Sequence, residues 1–231
     1  MRTGLLLAGL LLLEIGARSL WGLLPSSEWT GSRQEIAALL WTGCVRLVDL
    51  GAVLLACRAG RIPSLRWKPA GLRAALVSGL GMSLGFGVLA FVGETIFRAR
   101  GGSLLRGLRR GGAADPVYAD PGVVAAHALV AVLFAPLVEE AVFRGVLLGW
   151  LRERLPAVTA GSLSALVFAL CHALPFWLRG GTSVPPGLLF LPFLGALAFA
   201  WLALGKGGIL GAWLLHATGN AFLLTLQVWY V

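Results

Sequence analysis

Long apolar runs alternate with short polar segments along the whole chain. Seven of these runs approach or exceed the about 20 residues that a helix needs to cross the hydrocarbon core of a membrane. Because backbone groups in lipid must find their hydrogen-bond partners within the segment, each run predicts an α-helix. The predicted helices cover residues 4–24, 35–57, 74–97, 122–152, 157–178, 186–204 and 208–230.

The predicted fold class is therefore all-α, a polytopic transmembrane helical bundle of about seven helices, with six to eight as the range. We find no internal repeat and no soluble domain, so residues 1–231 are expected to form a single integral membrane domain. Composition agrees with this class. With 58% hydrophobic and only 13% charged residues, the chain has too little polar side chain to cover a soluble surface.

The net charge of +9 indicates a charged partner. The lysines and arginines lie in short runs beside apolar segments, where anionic lipid headgroups account for them, so we expect membrane lipid as a partner and no nucleic acid. The three cysteines lie in apolar segments without paired spacing and are interpreted as small core residues: Cys44, Cys57 and Cys171.

Ionisable residues interrupt the fourth apolar run in the motif EEAVFR. Each such group costs about 2.5 to 3.5 kcal/mol near the centre of a membrane helix, and such residues usually face a polar interior and carry function. Glu140 and Arg144 are four residues apart on one helix face and are expected to pair. Glu139 points about 100° away from this face, so its carboxylate is not used in that pair and is a candidate reactive group. In the second run, Arg46 and Asp49 are spaced to pair with each other.

Two further motifs place polar groups in later helices. FALCH carries Phe168 and His172, and HATGN carries His216 and Asn220, each pair four residues apart and so on one helix face. Counting about 1.5 Å of rise per residue from the membrane side that carries Arg152 brings the two histidines and the asparagine to depths compatible with that of the glutamates. We therefore expect these side chains to converge in one site.

Together, the three motifs resemble the signatures of the CAAX protease and bacteriocin-processing (CPBP) family of intramembrane endopeptidases. This family includes the eukaryotic type II CAAX prenyl endopeptidases and the bacterial myxosortases. The resemblance covers residues 139–220 and implies that the helices of residues 122–230 form the catalytic core. Family members commonly have eight helices, one more than the apolar runs predict here.

The resemblance also implies roles for the residues of the first two motifs. Glu139 would activate water as a general base, and His172 would help to hold that water. Glu140, paired with Arg144, would position the site. Peptide hydrolysis requires such a base within a site that excludes bulk solvent.

His216 and Asn220 would stabilise the oxyanion of the tetrahedral intermediate, again by resemblance. An imidazole and a carboxamide on one helix face can present two N–H donors for this purpose. The predicted function is an intramembrane endopeptidase of glutamic type, without a cofactor, that processes the C-terminal tail of a surface or secreted protein. Its substrate is then a protein or peptide with a membrane-associated tail.

Three alternatives use the same residues. Glu139, His172 and His216 could bind Zn²⁺ with an open position for water, although the HExxH spacing of zinc proteases is absent. The chain could instead be a non-catalytic membrane partner or a bacteriocin immunity protein. A proton-coupled transporter is the third alternative. A short chain rich in Gly, Ala, Leu and Arg favours a multi-pass protein of a prokaryotic inner (cytoplasmic) membrane, such as a myxosortase-like protein.

Overall fold

The computed structural model describes residues 2–23, 31–59, 72–99, 116–178, 186–205 and 208–229. Within these ranges almost every residue is helical and no strand occurs, which confirms the all-α prediction. The long helices are α1 (Arg2–Leu23), α2 (Ser32–Arg58), α3 (Leu72–Ala99), α4 (Pro121–Arg152), α5 (Ala157–Leu178), α6 (Pro186–Leu204) and α7 (Gly208–Trp229). A short 3₁₀ helix, Pro116–Ala119, precedes α4.

Each predicted apolar run coincides with one of these helices. By length and apolar composition, three stretches of the described chain are long enough to cross a membrane: Ser32–Arg58, Pro121–Arg152 and Ala157–Leu174. Shorter apolar helical stretches are Thr3–Ala17, Leu80–Ile96 and Leu189–Leu204. Large apolar side chains such as Leu84 (71% exposed) and Val158 (81% exposed) cover the outer faces. Lipid is the solvent that suits such a surface.

α4 lies at the centre of the bundle. It contacts α2 on one side and α7 on another, and its C-terminal half also contacts α1 and α5. α5 packs along α6, α6 packs against α7, and α3 packs along α7, where Ser83 Oγ and Thr218 Oγ1 form a hydrogen bond. The middle of α4 is accordingly deeply buried, and Val138, Glu140 and Ala141 are 0% exposed.

The start of α4 follows from its sequence. Asp120 is the N-cap, and its Oδ1 accepts a hydrogen bond of 2.8 Å from the Gly122 N–H, while Pro121 occupies the first turn, where no N–H is needed. The hydroxyl of Ser32 at the start of α2 also donates to Asp120, and these hydrogen bonds lower the pKa of the Asp120 carboxyl. The cap therefore joins the ends of α2 and α4.

Two stretches of α4 are π-helical rather than α-helical, Ala128–Phe134 and Ala141–Leu147. The first precedes Pro136, which has no N–H to donate. The Ala135 N–H donates to the Val130 carbonyl, five residues back, so neither Ala135 nor Pro136 serves the carbonyl of Ala131. Such π-helical turns are frequent at functional sites, and here they flank the two glutamates.

Candidate active site

The two adjacent glutamates of α4 point into different surroundings. Glu140 is fully buried, and its Oε1 accepts a hydrogen bond of 3.0 Å from Arg144 Nη1, as the spacing predicts. Glu139 is 13% exposed at the side chain and faces a cavity. The 100° rotation between consecutive helix positions thus separates a buried carboxylate from an accessible one.

A buried polar cluster joins α4, α6 and α7 around Glu140. Arg144 donates through Nη2 to the carbonyl of Ala196 on α6, at 3.1 Å. His216 of α7 places Nδ1 2.9 Å from Glu140 Oε1. Because a carboxylate only accepts hydrogen bonds when ionised, Nδ1 carries the proton of this contact. One carboxylate oxygen therefore holds both the guanidinium and the imidazole.

Aromatic rings enclose this cluster. The guanidinium carbon of Arg144 lies 4.6 Å from the centre of the Phe168 ring and 5.1 Å from that of Phe199. Phe199 also stacks on His216, with ring centres 4.6 Å apart and planes 18° apart. Such contacts stabilise a desolvated cation and fix the plane of the imidazole.

Glu139 lies between a guanidinium and an imidazole that come from other helices. Its Oε1 accepts a hydrogen bond of 3.2 Å from Arg46 Nη2 of α2. Its Oε2 is 3.8 Å from His216 Nε2, which is beyond hydrogen-bond distance. Arg46 also donates through Nη1 to Asp49 Oδ2 at 3.0 Å, which confirms the predicted pairing of those two residues.

His172 of α5 faces the same cavity as Glu139. Its Nδ1 lies 3.0 Å from the carbonyl of Phe168, and its ring centre lies 4.3 Å from that of Phe168. Because a carbonyl can only accept, Nδ1 must carry a proton, which leaves Nε2 of the neutral ring as an acceptor. The i,i+4 spacing of the motif thus orients the imidazole.

The cavity has a volume of about 330 Å³ and lies between α1, α2, α4 and α5. Its polar lining consists of Glu139, His172, Arg46 and Asp49, with Cys171 beside them. The remaining lining residues are apolar: Leu7, Ala8, Leu10, Leu11, Val138, Val142, Phe143, Leu147, Val167 and Leu174. Reactive groups therefore stand at the wall of a mainly apolar space.

Asn220 contacts α4 away from the glutamates. Its Nδ2 donates to the carbonyl of Ala131 at 2.8 Å, about two turns before Glu139. This is the carbonyl that Pro136 leaves without a backbone donor, so the carboxamide replaces a missing helix hydrogen bond. Glu139 and His172 line one cavity, and Glu139 Oε2 lies 3.8 Å from His216 Nε2, whereas Asn220 has one of its two amide N–H groups engaged elsewhere.

Residues 121–222 match the family model described as type II CAAX prenyl endopeptidase Rce1-like. The match covers somewhat less than half of the chain and supports membership of the CAAX protease and bacteriocin-processing (CPBP) family. The matched segment contains α4 to α6, most of α7 and all of the candidate residues from Glu139 to Asn220. A search of the curated proteins and a search of the solved structures each found no match.

The similarity to this family supports a protease that acts in the membrane on a protein substrate. Together with the apolar helices, it indicates an integral membrane protein. Metal binding was the alternative use of the same residues. Among the residues that the structure describes, no three His, Cys, Asp or Glu side chains are grouped so that they could hold a metal ion.

Sequence reasoning did not anticipate three contributors to this candidate site. Phe199 carries no local signal, since it lies in a uniformly apolar helix. Arg46 and Asp49 did carry a signal, because they are ionisable residues within an apolar run. Their spacing predicted only that they pair with each other, so the contact of Arg46 with Glu139 was not predicted. All three lie on helices other than α4, and Arg46 and Asp49 lie outside the matched segment.

Proposed function

We propose that this CPBP protein is an intramembrane endopeptidase that hydrolyses a peptide bond with water activated by Glu139. One observation carries the proposal: the carboxylate of Glu139 and the imidazole of His172 line one mainly apolar cavity. A general base must lie within reach of the proton that it removes, in a site that limits access of bulk water. No metal or cofactor has a step in this scheme.

The two groups have different parts in the first step. Glu139 Oε2 makes no hydrogen bond to His216 at 3.8 Å, so it is available to accept a proton from water. Nε2 of His172 accepts the second hydrogen bond of the same water and orients its oxygen. That oxygen adds to the carbonyl carbon of the substrate while its proton passes to Glu139. Glu139 then returns the proton to the leaving amine nitrogen as the C–N bond breaks.

Stabilisation of the oxyanion is assigned to His216 and Asn220. Glu140 engages Nδ1 of His216 at 2.9 Å, so Nε2 can donate to an oxyanion only when the ring carries both protons. Asn220 has a second N–H beyond the one that it donates to Ala131. Arg144 and Glu140 hold the imidazole in place and so position the site. Well-aimed donors of this kind contribute about 2.7 to 4 kcal/mol each to catalysis.

The cavity bears on the class of substrate. Its apolar wall from α1 and α5 suits apolar side chains of an extended, membrane-associated segment, and its volume of about 330 Å³ accommodates only a few of them. We infer that the substrate is the C-terminal tail of a surface or secreted protein, processed at a prokaryotic inner membrane in the manner of a myxosortase. Residues 122–230 form the catalytic core of one domain that spans residues 1–231.

The test is mass spectrometry of protein termini in membrane and surface fractions of the native host. A strain with Glu139→Gln is compared with wild type at equal expression. The matched control is Glu153→Gln, which makes the same change at an exposed carboxylate. Termini that disappear in Glu139→Gln and persist in the control establish proteolysis and identify the substrate. Identical termini in all three strains would overturn the proposal in favour of a non-catalytic partner or immunity protein.

A further inference from the structure

Arg46 reaches the proposed catalytic base from a helix that the family match does not include. We propose that Arg46, aligned by Asp49, is a positioning residue that holds Glu139 in the orientation required for attack. This inference rests on the proposed function. It adds α2 to the catalytic machinery, which the three motifs place on α4, α5 and α7.

Both terminal nitrogens of the Arg46 guanidinium are held by carboxylates. Nη1 of Arg46 donates to Asp49 Oδ2 at 3.0 Å, and Nη2 donates to Glu139 Oε1 at 3.2 Å. The side chain of Asp49 is only 3% exposed, and Arg46 precedes it by three residues on the same helix. Because the guanidinium is planar, fixing one nitrogen fixes the direction of the other. Asp49 thus determines where Nη2 points.

The consequence for Glu139 is that its two oxygens differ. Oε1 accepts a hydrogen bond from Arg46, whereas Oε2 lies 3.8 Å from His216 Nε2. Without Arg46 the glutamate side chain can turn toward the imidazole and pair with it whenever the ring carries both protons. Its carboxylate would then leave the side of His172 and the cavity. Arg46 prevents this collapse by holding the carboxylate from the opposite side.

The depth of Arg46 supports a functional rather than a surface role. It lies 14 residues after Ser32, the start of α2, and therefore about 21 Å along that helix. Its side chain is 15% exposed and lines the cavity. A guanidinium at this depth is costly unless it is paired, and its two carboxylate partners supply the pairing. One of those partners is the proposed base.

The experiment uses the purified full chain in lipid vesicles and a peptide that spans the cleavage site identified by the termini comparison. Arg46→Gln is expected to lower kcat by about 100-fold, since a displacement of about 1 Å in a reacting group has that effect. KM should stay unchanged, because Arg46 acts through Glu139 and does not touch the substrate. Arg46→Lys should fall between wild type and Arg46→Gln, since an ammonium keeps the charge without the planar fork.

Two further variants complete the series. Asp49→Asn keeps an oxygen that accepts from Arg46 and should reduce kcat less than Arg46→Gln does. Arg154→Gln is the matched control, because it removes a guanidinium that pairs with an exposed carboxylate at 3.0 Å and does not line the cavity. It should retain the wild-type kcat. If Arg46→Gln does not fold, Arg46→Lys and Asp49→Asn decide the question.

The possible outcomes distinguish a failure of this inference from a failure of the proposed endopeptidase function. If wild type cleaves, Glu139→Gln does not, and the Arg46 and Asp49 variants keep the wild-type kcat, the inference is wrong while the proposed function stands. A raised KM with unchanged kcat would also overturn it, because Arg46 would then bind substrate. If wild-type protein does not cleave the peptide, the proposed function fails and this inference fails with it.

Discussion

Replacing Arg144 with Met tests the buried cluster directly, because Met retains an unbranched apolar stem without the guanidinium. The substitution removes the hydrogen bonds to Glu140 Oε1 at 3.0 Å and to the Ala196 carbonyl at 3.1 Å. It also removes the contacts with the rings of Phe168 and Phe199. Glu140 would remain fully buried, with His216 as its nearest partner.

The expected loss follows from that geometry. Both side chains of the ion pair are 0% exposed, and removing one partner of a buried pair costs about 3 to 5 kcal/mol in free energy of unfolding. The double variant Glu140→Gln/Arg144→Met should recover part of this loss. It contains no unpaired carboxylate, and the carboxamide oxygen still accepts from His216 Nδ1.

Reversible unfolding in mixed micelles, followed by circular dichroism, measures the free energies of unfolding of the single and the double variant. The control is Arg154→Met, whose partner Glu153 is 54% exposed at the side chain and whose own side chain is 49% exposed. An exposed pair of this kind contributes about 0 to 1 kcal/mol. A double variant no more stable than Arg144→Met would refute the reasoning, because the loss would not then come from an unpaired buried charge.

Three further results are expected. Asn220→Leu should lower the free energy of unfolding by about 1 to 3 kcal/mol, because the Ala131 carbonyl loses its side-chain donor. Adding Pro136→Ala restores a backbone N–H and should recover part of that loss. No recovery would contradict the conclusion that Asn220 replaces the hydrogen bond that Pro136 cannot make. Activity should survive dialysis against strong chelators, and a loss that zinc restores would contradict the glutamate mechanism. Hydrogen bonds such as that from Ser32 lower the pKa of Asp120 below its usual value of 3.8. The ionised cap therefore stabilises the folded state fully at pH values above 3.8, and this stabilisation is lost as the pH falls through the lowered pKa. The difference in Tm between wild type and Asp120→Ala should therefore narrow in acid, and a constant difference would exclude this origin.

The helices could be predicted closely from the sequence. The run at 122–152 corresponds to α4 at Pro121–Arg152, and the run at 157–178 corresponds to α5 at Ala157–Leu178. The π-helical stretches of α4 could not be predicted in this way. An apolar run shows that a helix forms, but its pattern does not distinguish hydrogen bonds over four residues from those over five.

In the candidate site, contacts within one helix could be predicted from the sequence, whereas contacts between helices could not. Glu140 with Arg144 and Phe168 with His172 follow from spacing within one helix, and the structure contains both contacts. The contact of Arg46 with Glu139 joins residues 93 positions apart. No local pattern predicts it, because it depends on how α2 is rotated against α4. For the same reason the engagement of an Asn220 amide by Ala131 was not foreseen.

The sequence alone determined the helical class, the approximate ends of the helices and the pairs within each helix. It could do so because lipid forces every backbone group to bond within its segment, and because four residues complete about one turn. The tertiary structure decided which carboxylate faces the cavity, which guanidinium holds it and where the carboxamide of α7 is engaged. Those contacts depend on the relative depth and rotation of packed helices, and these are set by side-chain packing over the whole bundle rather than by any one segment.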